Sequence, residues 1–235
     1  MAVKKTQVAP ATLATALIPA AGFGARFHEG GPKALVPLRG KPMLLHALER
    51  LAASGRIKSA VIAVSPGHED AFRRALAGAP VPYTLVEGGV TRRESVARAF
   101  LAAKVEDDDE LVLIHDAARP LVDPLEVAAV VDAAAKTGAA IAGYSVVETI
   151  KRVHGGAVVE TVPRGDLFAA TTPQVFRAGL LRPAVEKEGG PETTDDAQLV
   201  ERTGGSVTVV LTSRWNIKIT YPEDLAWAEA FLARG

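Results

Sequence analysis

The chain has 235 residues, no cysteine, and 27 basic against 27 acidic side chains. Its length is ample for one large core, and the absence of cysteine excludes disulfides and thiolate zinc sites. A nucleic-acid binder usually carries a basic excess, which a formal net charge of zero does not provide. No segment is long and apolar enough to span a bilayer, so we expect a cytoplasmic protein without nucleic-acid or membrane partners.

Short apolar segments that predict strands alternate with amphipathic segments that predict helices. The predicted strands cover residues 13–20, 59–64, 83–87, 110–115, 139–147, 171–176, 207–211 and 216–220. The predicted helices cover residues 42–53, 68–77, 93–103, 124–136, 177–187, 194–203 and 222–234. This alternation predicts an α/β fold, a mostly parallel twisted sheet with helices on both faces. We expect a single domain over residues 1–235, in which residues 1–14 form a loose tail.

The segment 148–170 interrupts the alternation. It switches between apolar and polar residues on both sides of His154, Gly155 and Gly156, a pattern that predicts a β-hairpin. A two-stranded ribbon is marginally stable by itself. We therefore expect this arm either to pack on its own domain or to reach a partner.

A glycine-rich stretch after the first predicted strand is the most informative feature of the chain. Residues 19–27 read PAAGFGARF, and Lys33 follows shortly after. A Walker A loop is excluded because its Gly-Lys-Ser/Thr end is missing, and Phe27 stands where a dinucleotide-binding fingerprint needs its third glycine. Small residues let backbone N–H groups approach phosphate oxygens, and Arg26 and Lys33 add positive charge. The stretch therefore predicts a phosphate-binding loop.

An acidic residue, Asp116, directly follows the strand predicted at residues 110–115. Ligands of open parallel sheets bind beyond the carboxyl ends of the strands, and Mg²⁺ there shares carboxylate and phosphate oxygens. An isolated aspartate in this position is more often a cap or turn residue. Beside a phosphate-binding loop, we predict that Asp116 is a metal ligand. His115 is interpreted as structural instead of as a general base. If a phosphate oxygen is the nucleophile at such a site, it is already ionised and needs no strong base.

Two glycines, Gly88 and Gly89, follow the strand predicted at residues 83–87 and precede a helix. The pattern predicts a backbone platform for a base or a ribose. Ser95 lies in the first turn of that helix, but on sequence alone a capping role for its hydroxyl is favoured. Arg92 is open to interpretation as a solvated surface cation.

The remaining polar candidates are individually weak. The pair Asp195 and Asp196 is compatible with a second metal site, but a helix N-cap at Thr194 and Asp195 is favoured. Lys218 lies in the strand predicted at residues 216–220, where an alternating pattern would direct it to water.

In combination and in order along the chain, these motifs resemble the 2-C-methyl-D-erythritol 4-phosphate cytidylyltransferase family. The resemblance covers nearly the whole chain and rests on the segments PAAGFGARF, GPKAL, GGVTRRESV, HDAARP, ETIKR, ATTPQVF, TTDDA and NIKITYPEDL. It implies a Rossmann-like nucleotidyltransferase fold. It also implies a reaction in which CTP and the polyol phosphate give CDP-methylerythritol and pyrophosphate.

The resemblance also implies the site. The implied nucleotide-binding residues are Pro19, Ala20, Ala21, Gly22, Gly24, Gly88, Gly89 and Ser95. The implied catalytic cations are Arg26, Lys33 and Lys218. The implied substrate-binding residues are Arg119, Thr149, Arg164, Thr172 and Thr194. Asp116 is implied to bind Mg²⁺, for which Mn²⁺ or Co²⁺ can substitute.

In the family the arm crosses a two-fold axis, so the resemblance implies a homodimer in which Thr149 and Arg164 serve the partner's site. One position departs from the pattern, because Val90 replaces the acidic residue that often follows the paired glycines. Two other functions stay open. One is a cytidylyltransferase for a pentitol phosphate such as ribitol 5-phosphate, and the other is a catalytically silent nucleotide-binding regulator.

Overall fold

The computed structural model describes residues 11–24, 31–185 and 193–233. Its strands are β1 (Ala14–Pro19), β2 (Pro37–Leu38), β3 (Lys41–Pro42), β4 (Ile57–Val64), β5 (Tyr83–Glu87), β6 (Leu111–Ile114), β7 (Ala139–Ser145), β8 (Ile150–His154), β9 (Ala157–Val162), β10 (Phe168–Arg177) and β11 (Thr208–Leu211). Its α-helices are α1 (Met43–Ala53), α2 (Glu69–Ala75), α3 (Arg92–Ala103), α4 (Pro124–Thr137), α5 (Ala178–Val185), α6 (Ala197–Arg202) and α7 (Pro222–Leu232). A 3₁₀ turn covers Lys33–Leu35.

The central sheet has seven strands in the order β11-β7-β10-β6-β1-β4-β5. Its neighbours are parallel except at β10, which runs antiparallel to both β6 and β7. The chain leaves β7, forms a hairpin and returns as β10 beside the strand it left, without the crossover helix that a parallel return requires. The predicted α/β fold with a mostly parallel sheet is confirmed.

Helices cover both faces of this sheet. Leu48 of α1 and Val130 of α4 pack on one face in the larger apolar cluster. Phe100 of α3 and Leu181 of α5 pack on the other face. A third, smaller cluster joins Ala228 of α7 to the segment after Lys33 and to the segment before α7. These helices pack on the faces of the sheet and leave its carboxyl edge open at the ends of the central strands.

The local signals that predicted α4 act as expected. The side chain of Asp123 accepts a hydrogen bond from the backbone N–H of Leu125, Pro124 occupies the first turn, and Gly138 follows with φ +89°. A positive φ at that position favours glycine. The predicted helix 124–136 is confirmed to within one residue.

One predicted strand is absent, and one predicted helix is present but begins later than predicted. The segment predicted as a strand at 216–220 is irregular, because its N–H groups do not form the repeated bonds of a sheet ladder. Ile217 N–H donates to Trp215 O, and Ile219 N–H donates to Ala118 O in the loop after β6. The helix predicted at 194–203 begins only at Ala197.

The arm predicted at 148–170 contains an exposed two-stranded sheet made of β8 and β9, separate from the central sheet. Residues 168–170 belong instead to β10, which pairs with β7. Residues 1–10 of the predicted tail lie outside the described residues, while Ala14 is fully buried in β1. Nowhere in the described ranges is a helix both long and apolar enough to cross a membrane.

Candidate active site

A cavity of about 260 Å³ opens at the carboxyl edge of the central sheet. It lies where β1, β5 and β6 end and where α3 begins. Its lining consists of Pro19, Ala20, Ala21, Gly22, Gly24, Lys33, Ala34, Gly89, Val90, Thr91, Arg92, Ser95, Asp116, Ala117, Ala118 and Lys218. Among the described residues of this lining Asp116 is the one carboxylate, whereas Lys33, Arg92 and Lys218 bring positive charge. The cavity is therefore suited to an anionic ligand.

The glycine-rich loop after β1 is held against Lys33. The backbone N–H of Lys33 donates to Gly22 O at 3.1 Å. Gly24 has φ +62°, and a Cβ atom there would lie 2.8 Å from Cδ of Lys33. Ser65 donates its hydroxyl to Ala21 O at 2.8 Å. These contacts place the loop and the lysine side by side on one wall of the cavity, as a phosphate site requires.

The paired glycines form the facing wall. A Cβ atom on Gly88 would lie 2.3 Å from Cβ of Ala21, which is closer than two non-bonded carbon atoms can approach. Only glycine at position 88 therefore allows this wall to contact the glycine-rich loop. Ser95 Oγ accepts from Gly89 N–H at 3.1 Å and donates to Thr91 O at 3.0 Å. The Ser95 hydroxyl is thus engaged in holding the platform, which is the role favoured from sequence, and the residue also lines the cavity.

Val90, the departure from the family pattern, lies at the rim with its residue 97% exposed. Its backbone N–H donates to Glu94 Oε2 at 2.8 Å. The backbone N–H of Glu94 in turn donates to Oγ1 of Thr91, the N-cap of α3. The loop backbone is therefore fixed by its neighbours, and the side chain at position 90 is not needed to hold it.

Asp116 lies at the centre of a group of charged side chains. Arg92 Nε lies 2.8 Å from its Oδ1, Lys218 Nζ lies 2.9 Å from Oδ2, and Arg119 Nε lies 3.5 Å from Oδ2. Arg92 Nη2 also lies 2.8 Å from Oδ2 of Asp196, a buried residue. Burial by itself would raise the pKa of Asp116, but the three cations hold that pKa well below its usual range. Asp116 is therefore ionised throughout the neutral range.

His115 is buried between two fixed partners. Its Nε2 lies 3.0 Å from Arg119 O, and its Nδ1 lies 3.1 Å from Thr172 Oγ1. Since a carbonyl can only accept, Nε2 carries the proton and Nδ1 accepts the threonine hydroxyl. Burial lowers the pKa of His115 to about 4. It is neutral and structural, as we predicted.

The partners of His115 also position the cations. Thr172 Oγ1 accepts the backbone N–H of Asp116 at 3.0 Å. Arg119 Nη1 donates to Asn216 O at 2.7 Å, and the Asn216 amide donates to Thr172 O at 2.7 Å. These bonds hold the irregular segment that carries Lys218. They explain why the Lys218 ammonium contacts Asp116, although 45% of this side chain stays exposed to water as the alternating pattern predicted.

The fold and site can now be compared with known proteins. The family model for 2-C-methyl-D-erythritol 4-phosphate cytidylyltransferase matches residues 14–234. The chain belongs to this family. A relative of that name from Rhodopirellula baltica is 44% identical over 227 residues, covering 92% of this chain and 93% of the relative. Another from Halalkalibacterium halodurans is 43% identical over 224 residues, covering 92% of this chain and 96% of the relative.

Solved structures of the family have the same fold. The enzyme of that name from Thermus thermophilus superposes with a TM-score of 0.77 at 38% identity, covering 95% of this chain and 100% of that one. A 4-diphosphocytidyl-2C-methyl-D-erythritol synthase from Anaerococcus prevotii gives a TM-score of 0.80 at 28% identity, covering 95% of this chain and 97% of that one. The family resemblance read from the motifs is confirmed.

Most of the site residues implied by this family lie together. The ones that line the cavity are Pro19, Ala20, Ala21, Gly22, Gly24, Lys33, Gly89, Ser95, Asp116 and Lys218. Gly88, Arg119 and Thr172 lie just behind the lining and contact it. Arg26 falls outside the described residues.

Three implied substrate residues are not in the cavity of this chain. Thr149, Arg164 and Thr194 are exposed and absent from its lining. Arg164 donates to Val147 O at the base of the arm. Their roles therefore stay predictions that depend on a partner or on bound substrate.

The sequence reasoning missed Arg92 and Asp196. The interpretation of Arg92 as a solvated cation was wrong, because its guanidinium contacts two carboxylates. The N-cap favoured at Thr194 and Asp195 is borne out in part: Asp195 Oδ1 accepts the backbone N–H of Gln198, while the Gln174 side chain accepts the N–H groups of Asp196 and Ala197. The one available signal was the position of Arg92 three residues after Gly89 of the glycine platform. Its partner lies too far along the chain for any local pattern to reveal.

We expect Gly88→Ala to weaken CTP binding at least about tenfold and to lower stability by about 1–3 kcal/mol, because the new methyl group overlaps Ala21 in a packed wall. Calorimetric titration with CTP and thermal unfolding measure the two effects. The double variant Ala21→Gly/Gly88→Ala removes the 2.3 Å overlap but leaves the new Cβ at 3.1 Å from Ser95 Oγ and from Val64 O, so it should recover part of both. A double variant no better than Gly88→Ala would show that the close approach of the two walls is not what position 88 needs.

Proposed function

We propose that the chain transfers a cytidylyl group from CTP to 2-C-methyl-D-erythritol 4-phosphate in non-mevalonate isoprenoid precursor synthesis. The products are CDP-methylerythritol and pyrophosphate. The observation that carries this is the convergence of the glycine-rich loop, Lys33 and Lys218 on one cavity that also holds the ionised carboxylate of Asp116. Family membership over residues 14–234 supports the nucleotide and the acceptor. A cytoplasmic location stays a prediction from the sequence.

The charges explain the mechanism. An oxygen of the acceptor phosphate attacks the α-phosphorus of CTP in line, and pyrophosphate leaves with the electron pair of the broken bond. Both reactants are anions, so the site must first offset their repulsion. Lys33 lies beside the loop that would hold the triphosphate, and Lys218 lies across the cavity near Asp116. Both cations are in place before the reaction, so little reorganisation is needed.

The reaction needs no general base from the protein. A phosphate nucleophile is already ionised near neutral pH. The nearby candidate, His115, is neutral, buried and bonded through both ring nitrogens, so it does not contact the cavity. Catalysis therefore depends on positioning and on electrostatic stabilisation of the charge on the transferred phosphoryl group.

The residues present fit a magnesium ion. Mg²⁺ in phosphate-transferring sites takes one or two protein carboxylates and completes its shell with phosphate oxygens and water. Asp116 is an ionised carboxylate of the cavity lining, and its two oxygens contact Arg92 and Lys218. Among the described residues no cluster of three potential ligand side chains occurs, so phosphate oxygens and water would have to complete the shell of the ion. We propose that Asp116 holds Mg²⁺, or Mn²⁺ or Co²⁺ in its place. The bound ion would supply positive charge beside the phosphates.

We also propose a homodimer in which each arm reaches the partner's site. The support is that β8 and β9 are exposed over most of their length, with Val153, Val158 and Val159 each more than half exposed. A two-stranded ribbon in water is marginal, so such a ribbon gains from packing on another surface. On this proposal Thr149 and Arg164 contact the substrate bound to the partner.

The proposed reaction is tested by pyrophosphate release with CTP or UTP and with either 2-C-methyl-D-erythritol 4-phosphate or ribitol 5-phosphate. We expect turnover with CTP and the methylerythritol phosphate. UTP should give a kcat/KM lower by at least about tenfold, because polar groups that bond the cytosine amine are left unpaired by uracil. Preference for ribitol 5-phosphate would reassign the acceptor, and CTP binding without any turnover would leave a regulator.

Lys33→Ala should lower kcat at least about a hundredfold, the scale of losing one donor to the transition state, while changing the KM for CTP much less. Steady-state kinetics separate the two. Lys58→Ala is a matched control, because that lysine pairs with Glu110 away from the cavity. A Lys33→Ala enzyme with normal kcat and a raised KM would assign the lysine to binding alone.

The arm is tested by mixing two inactive variants, Lys33→Ala and Arg164→Ala. If Arg164 serves the partner's site, a mixed dimer holds one intact site and one doubly altered site. Random mixing makes about half of the dimers mixed, so about a quarter of wild-type activity should return after joint refolding. Without any recovery, and with mixing verified by native mass spectrometry, Arg164 would be placed in its own subunit's site or away from the chemistry.

A further inference from the structure

One arginine in the site is shared between two carboxylates from distant parts of the chain. Arg92 Nε lies 2.8 Å from Asp116 Oδ1, and Arg92 Nη2 lies 2.8 Å from Asp196 Oδ2. Asp116 lines the cavity, whereas Asp196 lies behind it and is 2% exposed. A buried carboxylate is costly unless a charge or hydrogen bond compensates it. The arrangement therefore calls for a reason beyond filling space.

The position of Asp196 is fixed by a hydrogen bond from its own backbone N–H to the side chain of Gln174. Gln174 Oε1 accepts the N–H groups of both Asp196 and Ala197 at 3.0 Å, and the Gln174 amide donates to Asp195 Oδ2 at 3.0 Å. Gln174 lies on β10, which pairs with β6 directly before Asp116. The two carboxylates are thus held by adjacent strands of one sheet, and Arg92 spans the gap between them.

The geometry of arginine suggests what the second carboxylate does. A guanidinium pairs most strongly with one carboxylate through two parallel N–H bonds. Arg92 donates a hydrogen bond through Nε to Asp116, whereas its Nη2 makes an ion-pair contact with Asp196 Oδ2, which accepts no hydrogen bond from the described residues. The guanidinium is therefore divided between two partners. Without Asp196, both N–H groups could close on Asp116, whose Oδ2 already has Lys218 at 2.9 Å. A cation that needs an oxygen of Asp116 would then meet stronger competition.

We propose that Asp196 is a positioning residue, which limits Arg92 to a single contact with Asp116 and so keeps that carboxylate accessible to the divalent cation. The inference rests on the proposed metal role of Asp116. The net charge of the cluster predicts the direction in which CTP binding changes when Asp196 is removed. Burial raises the pKa of Asp196, whereas the contact with Arg92 holds it down. With Asp196 ionised, Arg92, Arg119 and Lys218 against the two carboxylates leave one positive charge, and loss of Asp196 raises this to two. The Kd for metal-free CTP should then stay equal or decrease, and the factor by which Mg²⁺ lowers the Kd for CTP should become smaller.

The test uses the whole protein and compares the Kd for CTP in EDTA with the Kd for CTP at saturating Mg²⁺, measured by calorimetry without the acceptor. The Kd in EDTA divided by the Kd at saturating Mg²⁺ gives the coupling between metal and nucleotide, and this ratio is large when Mg²⁺ tightens CTP binding. In Asp196→Asn we expect this ratio to fall at least about fivefold, with the Kd in EDTA unchanged or tighter. An unchanged ratio, or equal weakening of both constants, would overturn the inference, since general structural damage weakens both.

A double-mutant cycle tests whether Asp196 acts through Arg92. In the Arg92→Ala background, Asp196→Asn should leave the ratio unchanged, because no guanidinium remains to be divided. A further fall there would show a direct effect of Asp196 and overturn the proposal. Asp195→Asn is the matched control. It removes the neighbouring carboxylate, which contacts Gln174 and Gln198 instead of Arg92, and it should keep the wild-type ratio.

Two further measurements keep the outcome decisive. If thermal unfolding shows that Asp196→Asn does not fold, Arg92→Lys replaces it: an ammonium cannot form the two-bond fork, so the ratio should stay at or above the wild-type value. A ratio several-fold lower in Arg92→Lys would overturn the proposal. If the wild-type protein has the same Kd for CTP in EDTA and at saturating Mg²⁺, the proposed metal role of Asp116 is itself wrong. This outcome is distinct from a failure of the proposal for Asp196 alone.

Discussion

The ionised carboxylate of Asp116 is the interaction on which the site depends. A buried carboxylate requires nearby positive charge, and here the charge comes from Arg92 at the start of α3, from Arg119 in the loop after β6, and from Lys218 far along the chain. The backbone N–H of Asp116 is fixed by Thr172. One anion therefore brings four otherwise separate segments to a single point at the edge of the sheet.

The same anion makes the cation cluster possible. Arg92, Arg119 and Lys218 would repel one another across the cavity if no negative charge stood between them. Asp116 offsets that repulsion in the protein alone, before any phosphate is bound. A triphosphate brings its own negative charge and can take over part of this role. The carboxylate would then be more available to a divalent ion, so a bound triphosphate would lessen the competition between the structural role of Asp116 and its proposed metal-binding role.

The sequence was sufficient wherever the cause of a structure is local. A buried parallel strand must be a continuous apolar run, and so β6 could be predicted from residues 111–114. Asp123, Pro124 and Gly138 fixed the ends of α4 by their own chemistry. The glycine-rich loop was equally readable, because the close approach of backbone to phosphate needs small residues at adjacent positions.

The sequence was insufficient wherever a partner lies far along the chain. Arg92 has the appearance of a surface cation until Asp196 is brought beside it at the start of α6. Lys218 lies in a segment whose alternation suits a strand, and only the bonds from Arg119 and Asn216 show that the segment is held as a loop. Each case needs the fold before the contact can be seen, so periodicity and spacing give no sign of it.

The base of the arm shares its contacts with the segment that carries Lys218. Arg214 pairs with Glu148 at 2.6 Å, and its guanidinium lies 5.5 Å from the ring centroid of Tyr144, where β7 ends. Trp215 then stacks on Trp227 of α7 at 5.6 Å between ring centroids. The root of the arm is thus tied through Arg214 to the segment that carries Lys218, and that segment is anchored on the end of β7 and on α7. An exposed ribbon built in this way gains a defined direction from its base even though its strands contact little else in the described part of the chain.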